Sequence, residues 1–409
     1  MTFSSLRSLP FLKKTNMLKY WVLSLIGSFP ALTFAQDARV ESILEEFNTD
    51  SLNSQVQKLS GEIPLVIGGQ SHVISSRLYN QPGNVLTFKY AKERFMQAGL
   101  EIDSLVFSAN GKNLFGIKKG TIFPERVCII GAHYDNLPTG ILAPGADDNA
   151  SGCAVVLESA RIMGEMEFPN TIIFALWDEE ELGLIGSTAY TAQQQIHGDS
   201  LLGYINLDML GWDGNNDNLT EVHVRPIANS LSLMQMVIDC NELYNIGLNI
   251  EIVNPGSVNS DHFPFWQKGY SAIGINEEYV GDFNPNWHQT SDVFSAFNHQ
   301  YFEANSRLAL ASFATLALNK SGNLSDEEAI SNSILFPNPA SDIVYIQFEQ
   351  AILSELNVSI TDNLGRMVFV SDYEKVDQIT IPATEFRAGF YRIQINTGEI
   401  QKNFSFIKN

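Results

Sequence analysis

Four short and continuously apolar runs constrain the fold of this 409-residue chain more than any other feature. Their sequences are RVCIIG at 126–131, TIIFALW at 171–177, GYINL at 203–207 and SAIGI at 271–275. Segments with helical periodicity lie around them, at about 84–100, 150–163, 182–195, 231–243 and 301–318. Apolar strands that alternate with helices are typical of a mostly parallel sheet with helices on both faces. The sequence therefore predicts a doubly wound α/β domain over residues 71–318.

The chain changes character after this domain. Asn, Ser, Gly, Asp and Glu dominate residues 319–333, a composition that is typical of a linker. Six short strand-like runs follow, at 343–348, 356–361, 367–370, 378–381, 390–395 and 404–407. Short strands separated by turn signals are typical of an antiparallel β-sandwich. We therefore predict a second, small antiparallel β-sandwich domain over residues 334–409.

The N-terminus has the features of an export signal. Arg7, Lys13, Lys14 and Lys19 precede an apolar run over 20–34, and the run ends before Ala35. A basic region, an apolar run and small residues at the end are typical of a secretory signal peptide. The run is too short and too interrupted to span ~30 Å of hydrocarbon, so no stable membrane insertion is expected. We predict a signal peptide over 1–35, export through the periplasm to the cell surface or medium, and a leader or propeptide over 36–70.

Charge and cysteine content exclude several classes of function. The chain has 25 Lys and Arg against 46 Asp and Glu, a formal net charge of −21 at pH 7. Nucleic acids and anionic membranes are bound through basic surfaces, so neither is expected as a partner. Cys128, Cys153 and Cys240 allow at most one disulfide, which excludes a disulfide scaffold. We expect three buried thiols, with a Cys128–Cys153 bridge as the alternative.

Acidic and histidine side chains lie at the carboxyl ends of the four predicted strands or in the segments that follow them. The motifs are GAHYD at 131–135, GADDNASG at 145–152, DEEELGLIGS at 178–187, NLDM at 206–209 and WHQTSD at 287–292. In a parallel sheet the ligand site lies outside the carboxyl ends of the strands, so these side chains are expected to converge. Carboxylates and imidazoles suit zinc, and a pair of divalent ions needs a bridging carboxylate and an unligated one as base.

In this order the five motifs resemble those of the co-catalytic dizinc aminopeptidases of the zinc-exopeptidase superfamily, over about residues 75–318. The resemblance implies two zinc ions per chain, held by His133, Asp148, Glu181, Asp208 and His288. It implies that His133 and Asp208 bind one zinc, that Glu181 and His288 bind the other, and that Asp148 bridges both. It further implies that Glu180 is the general base, that Asp135 orients His133, and that a cis peptide follows Asp148.

Several of these assignments have competing interpretations. The acids at 179–181 could form a solvated helix N-terminus, and Glu179 with Glu180 is the alternative register for ligand and base. Asp147 could replace Asp148 as the bridge, and His262 in SDHFPF could replace His288. Four aromatic residues either line a pocket for the first substrate side chain or pack as ordinary core and rim, namely Trp177, Tyr279, Phe283 and Trp287.

The resemblance implies a secreted aminopeptidase that acts on peptides or proteins with a free N-terminus. The zinc pair would activate a water molecule, and Glu180 would transfer its proton to the departing amine. The alternatives are a glutaminyl-peptide cyclotransferase, which shares the fold and uses one zinc, and a non-catalytic binding protein with a peptidase fold. Metal content and activity separate the three.

The C-terminal domain has a resemblance of its own. LFPNPAS at 335–341, ITDNLGR at 360–366, AGFY at 388–391 and a closing strand at 402–408 resemble the Por (type IX) secretion C-terminal sorting domain. The resemblance implies that the secretion machinery is a partner of this domain. A generic sandwich that binds sugar or protein is the alternative.

Overall fold

The computed structural model describes residues 36–193, 201–319, 329–331, 333–352, 355–373, 376–397 and 400–409. The predicted signal peptide and most of the predicted linker lie outside these ranges. Within them, no helix combines the length and the apolar character that a membrane crossing requires.

Two helices and a hairpin precede the large sheet. They are α1 (Ala38–Glu45), α2 (Thr49–Leu59), β1 (Leu65–Ile67) and β2 (Gln70–His72). The side chain of Asn48 caps α2 by accepting the amide of Ser51 at 2.8 Å, which satisfies one of the free donors of the first turn. The apolar faces of both helices lie in the same core cluster as the large sheet. The predicted leader therefore packs as part of the folded domain.

Among the described residues, the α/β domain has eight strands and six further α-helices. In chain order they are α3 (Pro82–Gln97), β3 (Glu101–Val106), β4 (Lys112–Lys118), β5 (Phe123–His133), α4 (Gly152–Met163), β6 (Asn170–Trp177), α5 (Ile185–Gln193), β7 (Leu201–Leu207), β8 (Leu219–His223), α6 (Ser230–Leu243), β9 (Asn249–Val253), α7 (His262–Gln267), β10 (Ala272–Glu277) and α8 (His299–Leu318).

The strand order of the sheet is β3-β4-β6-β5-β7-β10-β8-β9. The central strands β6, β5, β7 and β10 are parallel, and they are the four apolar runs of the sequence. Antiparallel pairing adds β4 on one side and β8 on the other. The prediction of a mostly parallel sheet is confirmed, but four outer strands were missed. The edge strands β3 and β9 are largely exposed and lack a continuous apolar run, so their sequences do not stand out.

Helices cover both faces of the sheet, as predicted. Alternate side chains of β5 point to opposite faces, so Ile130 joins the large core cluster and Ile129 joins a second, aromatic-rich cluster. The second cluster contains Trp177, whose ring lies 5.1–6.0 Å from four other aromatic rings. Trp177 is therefore a core residue and not part of a pocket. The three cysteines are buried and free, so the Cys128–Cys153 alternative is wrong.

The C-terminal domain is an antiparallel β-sandwich, as predicted. Its strands are β11 (Ile334–Phe336), β12 (Ile343–Ile352), β13 (Leu356–Asp362), β14 (Met367–Tyr373), β15 (Val376–Pro382), β16 (Gly389–Asn396) and β17 (Gln401–Lys408). They form the sheets β11-β12-β15 and β14-β13-β16-β17. Inward side chains such as Val358, Ile360 and Ile393 build a core that is separate from the core of the α/β domain. Of the seven strands, only the short β11 was missed.

Candidate metal centre

The predicted site residues meet at the carboxyl ends of the central strands. His133 ends β5, and Asp208 directly follows β7. Glu180 and Glu181 lie in a loop between β6 and α5, in which Glu179 and Leu184 have positive φ. Helix α5 starts at Ile185 and not at residue 182, so the acids are on this loop and not on a helix N-terminus. Convergence at this edge follows from the parallel arrangement of the strands.

Asp148 lies between the two histidines. Its Oδ1 atom is 3.3 Å from His133 Nε2, and its Oδ2 atom is 3.1 Å from His288 Nε2. His133 Nε2 is also 3.3 Å from Asp208 Oδ1, and His288 Nε2 is 2.9 Å from Glu181 Oε2. The two carboxylate oxygens of Asp148 thus face two different sets of nitrogen and oxygen donors. A carboxylate that bridges two metal ions needs this arrangement.

The donor set fits divalent cations. His133, Glu180 and Asp208 form one group of candidate metal-ligating side chains, and His133, Asp148 and Glu181 form a second. The Oε1 atom of Glu181 is buried and makes no hydrogen bond to any residue that the structure describes. Nitrogen and carboxylate oxygen donors in a buried site suit zinc. These residues could therefore hold a pair of zinc ions.

Asp135 makes hydrogen bonds within its own motif, GAHYD, and to the motif DEEELGLIGS. His133 Nδ1 hydrogen-bonds the carbonyl of Asp135 at 3.2 Å and lies 3.5 Å from its Oδ1 atom. The carboxylate oxygens of Asp135 accept the amides of Glu180 at 3.1 Å and of Glu181 at 3.2 Å. Asp135 thus lies where the resemblance expects it, beside His133. It also holds the loop of the two acids, which the sequence did not indicate.

The buried charges perturb each other strongly. Burial opposes the charged form of Asp148, but its hydrogen bonds to His133 and His288 hold its pKa well below the usual range. Burial raises the pKa of Glu180 well above its usual value, although His133 opposes this shift. Burial also raises the pKa of Glu181 to about 7. Acidic side chains outnumber imidazoles at this edge, and divalent cations would compensate the excess negative charge.

The competing residues are engaged elsewhere. Asp147 turns away from the histidines: its Oδ1 atom accepts the amides of Leu210 and Gly211 at 3.0 and 2.8 Å. His262 is buried, and its ring nitrogens contact the carbonyl of Ser257 and the side chain of Asn206. Glu179 accepts the hydroxyl of Ser108 at 3.0 Å. None of the three belongs to the groups of candidate ligands found among the described residues.

The structure shows how two supporting residues contact the site. The carboxylate of Asp292 accepts the amides of Asp147 at 2.9 Å and of Asp148 at 3.0 Å. Ser260 donates its hydroxyl to Asp208 Oδ2 at 2.7 Å. Both lie in motifs that were recognised, but their roles depend on contacts across 52 to 145 residues of chain. The cis peptide expected between Asp148 and Asn149 is present.

Aromatic side chains border the site next to His288. The Trp287 ring stacks on His288, with ring centroids 3.7 Å apart. Phe283 packs edge-on against Trp287, and Tyr279 packs edge-on against Phe283. Trp287 and Phe283 are each more than 40% exposed, so an apolar surface beside His288 is open to solvent.

The comparisons with known proteins agree with this geometry. Residues 113–313 match Peptidase family M28, and residues 334–409 match the secretion system C-terminal sorting domain. The chain is 25% identical over 298 residues to a probable zinc metalloprotease of Pyrenophora tritici-repentis, a match that covers 60% of this chain and 67% of that protein. It is 28% identical over 206 residues to a probable leucine aminopeptidase of Arthroderma benhamiae, covering 47% and 55%. The chain thus spans about half the length of the second relative.

Solved structures share the fold of the α/β domain. The LapA aminopeptidase of Legionella pneumophila superposes with a TM-score of 0.59 at 23% identity, over 69% of this chain and 75% of that one. A glutaminyl cyclase of Porphyromonas gingivalis superposes with a TM-score of 0.54 at 17% identity, over 66% and 98%. The family matches identify a Peptidase family M28 domain and, after it in the chain, a Por secretion C-terminal sorting domain.

Proposed function

We propose that this protein is a secreted aminopeptidase that holds two zinc ions and removes N-terminal residues from peptides or proteins. The position of Asp148 between His133 and His288 carries the proposal. One ion would be held by His133, Asp148 and Asp208, and the other by Asp148, Glu181 and His288. When bound, the zinc pair would supply Lewis acidity for attack of water on the scissile carbonyl.

Glu180 is the proposed general base. Its side chain is in the same donor group as His133 and Asp208, and Asp135 fixes its main-chain amide at 3.1 Å. Burial raises the pKa of Glu180, which makes this carboxylate a better proton acceptor than an exposed one. Glu180 accepts the proton of the attacking water and returns it to the departing amine.

The border of the site supports action at an N-terminus. Phe283 and Trp287 offer an apolar surface beside the same edge for the first substrate side chain. A relative of this chain is a probable leucine aminopeptidase, which is consistent with an apolar first residue.

The C-terminal domain supports export. It matches the secretion system sorting domain over residues 334–409, so the secretion machinery is its proposed partner. The enzyme would act at the cell surface or in the medium after export through the periplasm. The signal peptide over residues 1–35 remains a prediction from the sequence.

A glutaminyl cyclase is the second candidate, because one such enzyme shares the fold. Cyclisation of an N-terminal Gln on a single zinc would need fewer protein ligands than this chain brings together. The presence of candidate ligands on both sides of Asp148 favours the dizinc peptidase.

A panel of aminoacyl chromogenic substrates, assayed with and without chelator, tests the proposal. We expect chelator-sensitive release of the chromophore and close to two zinc ions per chain by elemental analysis. An N-terminal Gln peptide, assayed in parallel, reports cyclisation. One zinc per chain together with cyclisation would replace the peptidase by the cyclotransferase.

A further inference from the structure

Arg77 is a fully buried cation that is held by main-chain carbonyls. Its Nε atom donates to the carbonyl of Tyr134 at 2.9 Å. Its Nη1 atom donates to the carbonyls of Leu59 and Pro144, and Nη2 donates to that of Gly145, each at 2.8 Å. In the part of the chain that the structure describes, no carboxylate hydrogen-bonds this guanidinium. A buried charge is tolerated only when its donors are satisfied, so this set of carbonyls must stay in place.

These carbonyls come from three separate segments. Leu59 is the last residue of α2, Tyr134 directly follows His133, and Pro144 and Gly145 immediately precede the turn that carries Asp148. One planar guanidinium therefore ties the N-terminal helices to two segments of the candidate metal centre. Its fork of fixed donors suits a role that a flexible ammonium could not fill.

The loop that leads to Asp148 has further contacts around Arg77. The amide of Arg77 donates to Asn136 Oδ1 at 2.9 Å, and Asn136 Nδ2 donates to the carbonyl of Ala143 at 2.8 Å. The loop turns at Gly145, where φ is +51° and an added Cβ would lie 2.4 Å from the carbonyl oxygen of Asp148. The contacts of Arg77 and Asn136 that fix this loop therefore also fix the position of Asp148.

The N-terminal segment is bound to the domain by polar contacts as well as by its apolar faces. Buried Glu158 on α4 accepts the amide of Asn48 at 3.2 Å and the hydroxyl of Ser51 at 2.7 Å. Arg161 donates to the carbonyl of Glu46 at 2.7 Å. Removal of the segment would expose the α4 side of the core and would leave Arg77 without one of its acceptors.

From these contacts we infer that Arg77 is a positioning residue for Asp148, and that residues 36–67 are a permanent support of the metal centre and not a removable propeptide. The test by zinc affinity rests on the proposed dizinc site, whereas the test by cleavage of the chain does not.

The first test cuts the chain at the hairpin between β1 and β2. Gly68 and Gly69 are exposed, and no atom lies within 4 Å of an added Cβ at either, so a protease recognition sequence can be inserted between them. After cleavage of the full-length protein, we expect the N-terminal fragment to co-elute with the remainder in native size exclusion. Activity should stay within twofold of the uncut protein. Dissociation of the fragment under native conditions would overturn the inference, whatever the activity.

The second test compares Arg77→Lys with Arg161→Lys by chelator competition for zinc. Lys cannot reach carbonyls from three segments, so Arg77→Lys should bind zinc at least tenfold more weakly, the usual range for lost support of a metal ligand. Arg161 contacts the N-terminal segment but not the loop before Asp148, so its variant should lose thermal stability and keep its zinc affinity. Equal zinc affinity of Arg77→Lys and the wild type would overturn the positioning role.

If Arg77→Lys does not fold, Asn136→Asp takes its place. This variant keeps the acceptor for the amide of Arg77 and loses the donor to Ala143, so zinc affinity should fall while the fold is retained. Unchanged zinc affinity would overturn the inference. A wild-type protein that binds no zinc would instead reject the proposed function, and the cleavage test would still decide the role of residues 36–67.

Discussion

The two domains differ in whether their charged side chains are buried or exposed. The α/β domain buries His133, Asp135, Asp148 and Asp208 together at one edge of its sheet, with at most 6% of each exposed. Among the described residues from 333 onward, Ser333 is the only polar residue that is buried. An ion pair of the sandwich, between Asp362 and Arg366, lies on its surface. One domain thus concentrates charge inside, and the other keeps it in solvent.

The two domains also differ in how many residues with a side chain have positive φ. Around the metal centre, Glu179, Leu184, Met209 and His288 have positive φ, which is uncommon for residues with a side chain. In the described part of the sandwich, positive φ is found only at Gly365 and Gly389. Unusual backbone collects at functional sites because the surrounding fold must hold it there. The α/β domain thus holds unusual backbone conformations at its metal centre, whereas the described part of the sandwich has positive φ only at glycines.

The replacement Asp148→Asn should have the largest effect, because it removes the carboxylate that faces both histidines. We expect less than one zinc per chain by elemental analysis and no detectable peptidase activity. The sandwich should unfold at the same temperature as in the wild type. Normal zinc content in this variant would contradict the bridging role. Asp147→Asn is the matched control, since Asp147 faces the amides of Leu210 and Gly211, and it should keep measurable zinc.

The replacement Glu180→Gln should lower the turnover rate and leave zinc binding unchanged. The amide cannot accept the proton of the attacking water, so we expect kcat to fall by about 10³-fold. Zinc content by elemental analysis should stay at the wild-type level. The control is Glu179→Gln, which should change kcat by no more than a few fold. If the control loses activity and Glu180→Gln loses zinc, the alternative register of the three acids is correct.

Chelation should distinguish the two domains by calorimetry. Ligand that binds only the folded state stabilises it by roughly 4 kcal/mol at 1,000 times its Kd. Zinc removal should therefore lower the unfolding temperature of the α/β domain by about 10 °C and leave that of the sandwich unchanged. A parallel shift of both transitions would show that the domains are not independent.

Core truncation should have the smallest effect on activity. Ile360→Ala removes a buried side chain from the sandwich core and should cost about 2–5 kcal/mol of its stability. The kcat should not change, because the metal centre belongs to the α/β domain, whose core is separate. Ile205→Ala makes the same change in the α/β domain and should lower the unfolding temperature of that domain instead. Loss of kcat in Ile360→Ala would contradict the separation of the two cores.

Much of the fold could be predicted because burial on both faces leaves a clear pattern. The strands β5, β6, β7 and β10 are continuous apolar runs, and six of the seven sandwich strands are separated by turn signals. The edge strands β3 and β9 are half solvated, and their polar residues conceal them. The start of α5 was placed too early because helical spacing continues into the loop of acids, where tertiary contacts to Asp135 dictate the backbone.

The parallel core and a cluster of potential metal ligands could be predicted from the sequence, because both depend on local residue types in the apolar runs and after them. The folded structure was needed to show that Asp147 turns away, that Asp292 holds the turn of Asp148, and that Arg77 joins α2 to the segment before that turn. Each of these roles is a hydrogen bond between segments 18 to 145 residues apart. Such contacts leave no local pattern, because the partner of a buried polar group is chosen by the fold and not by its neighbours in the chain.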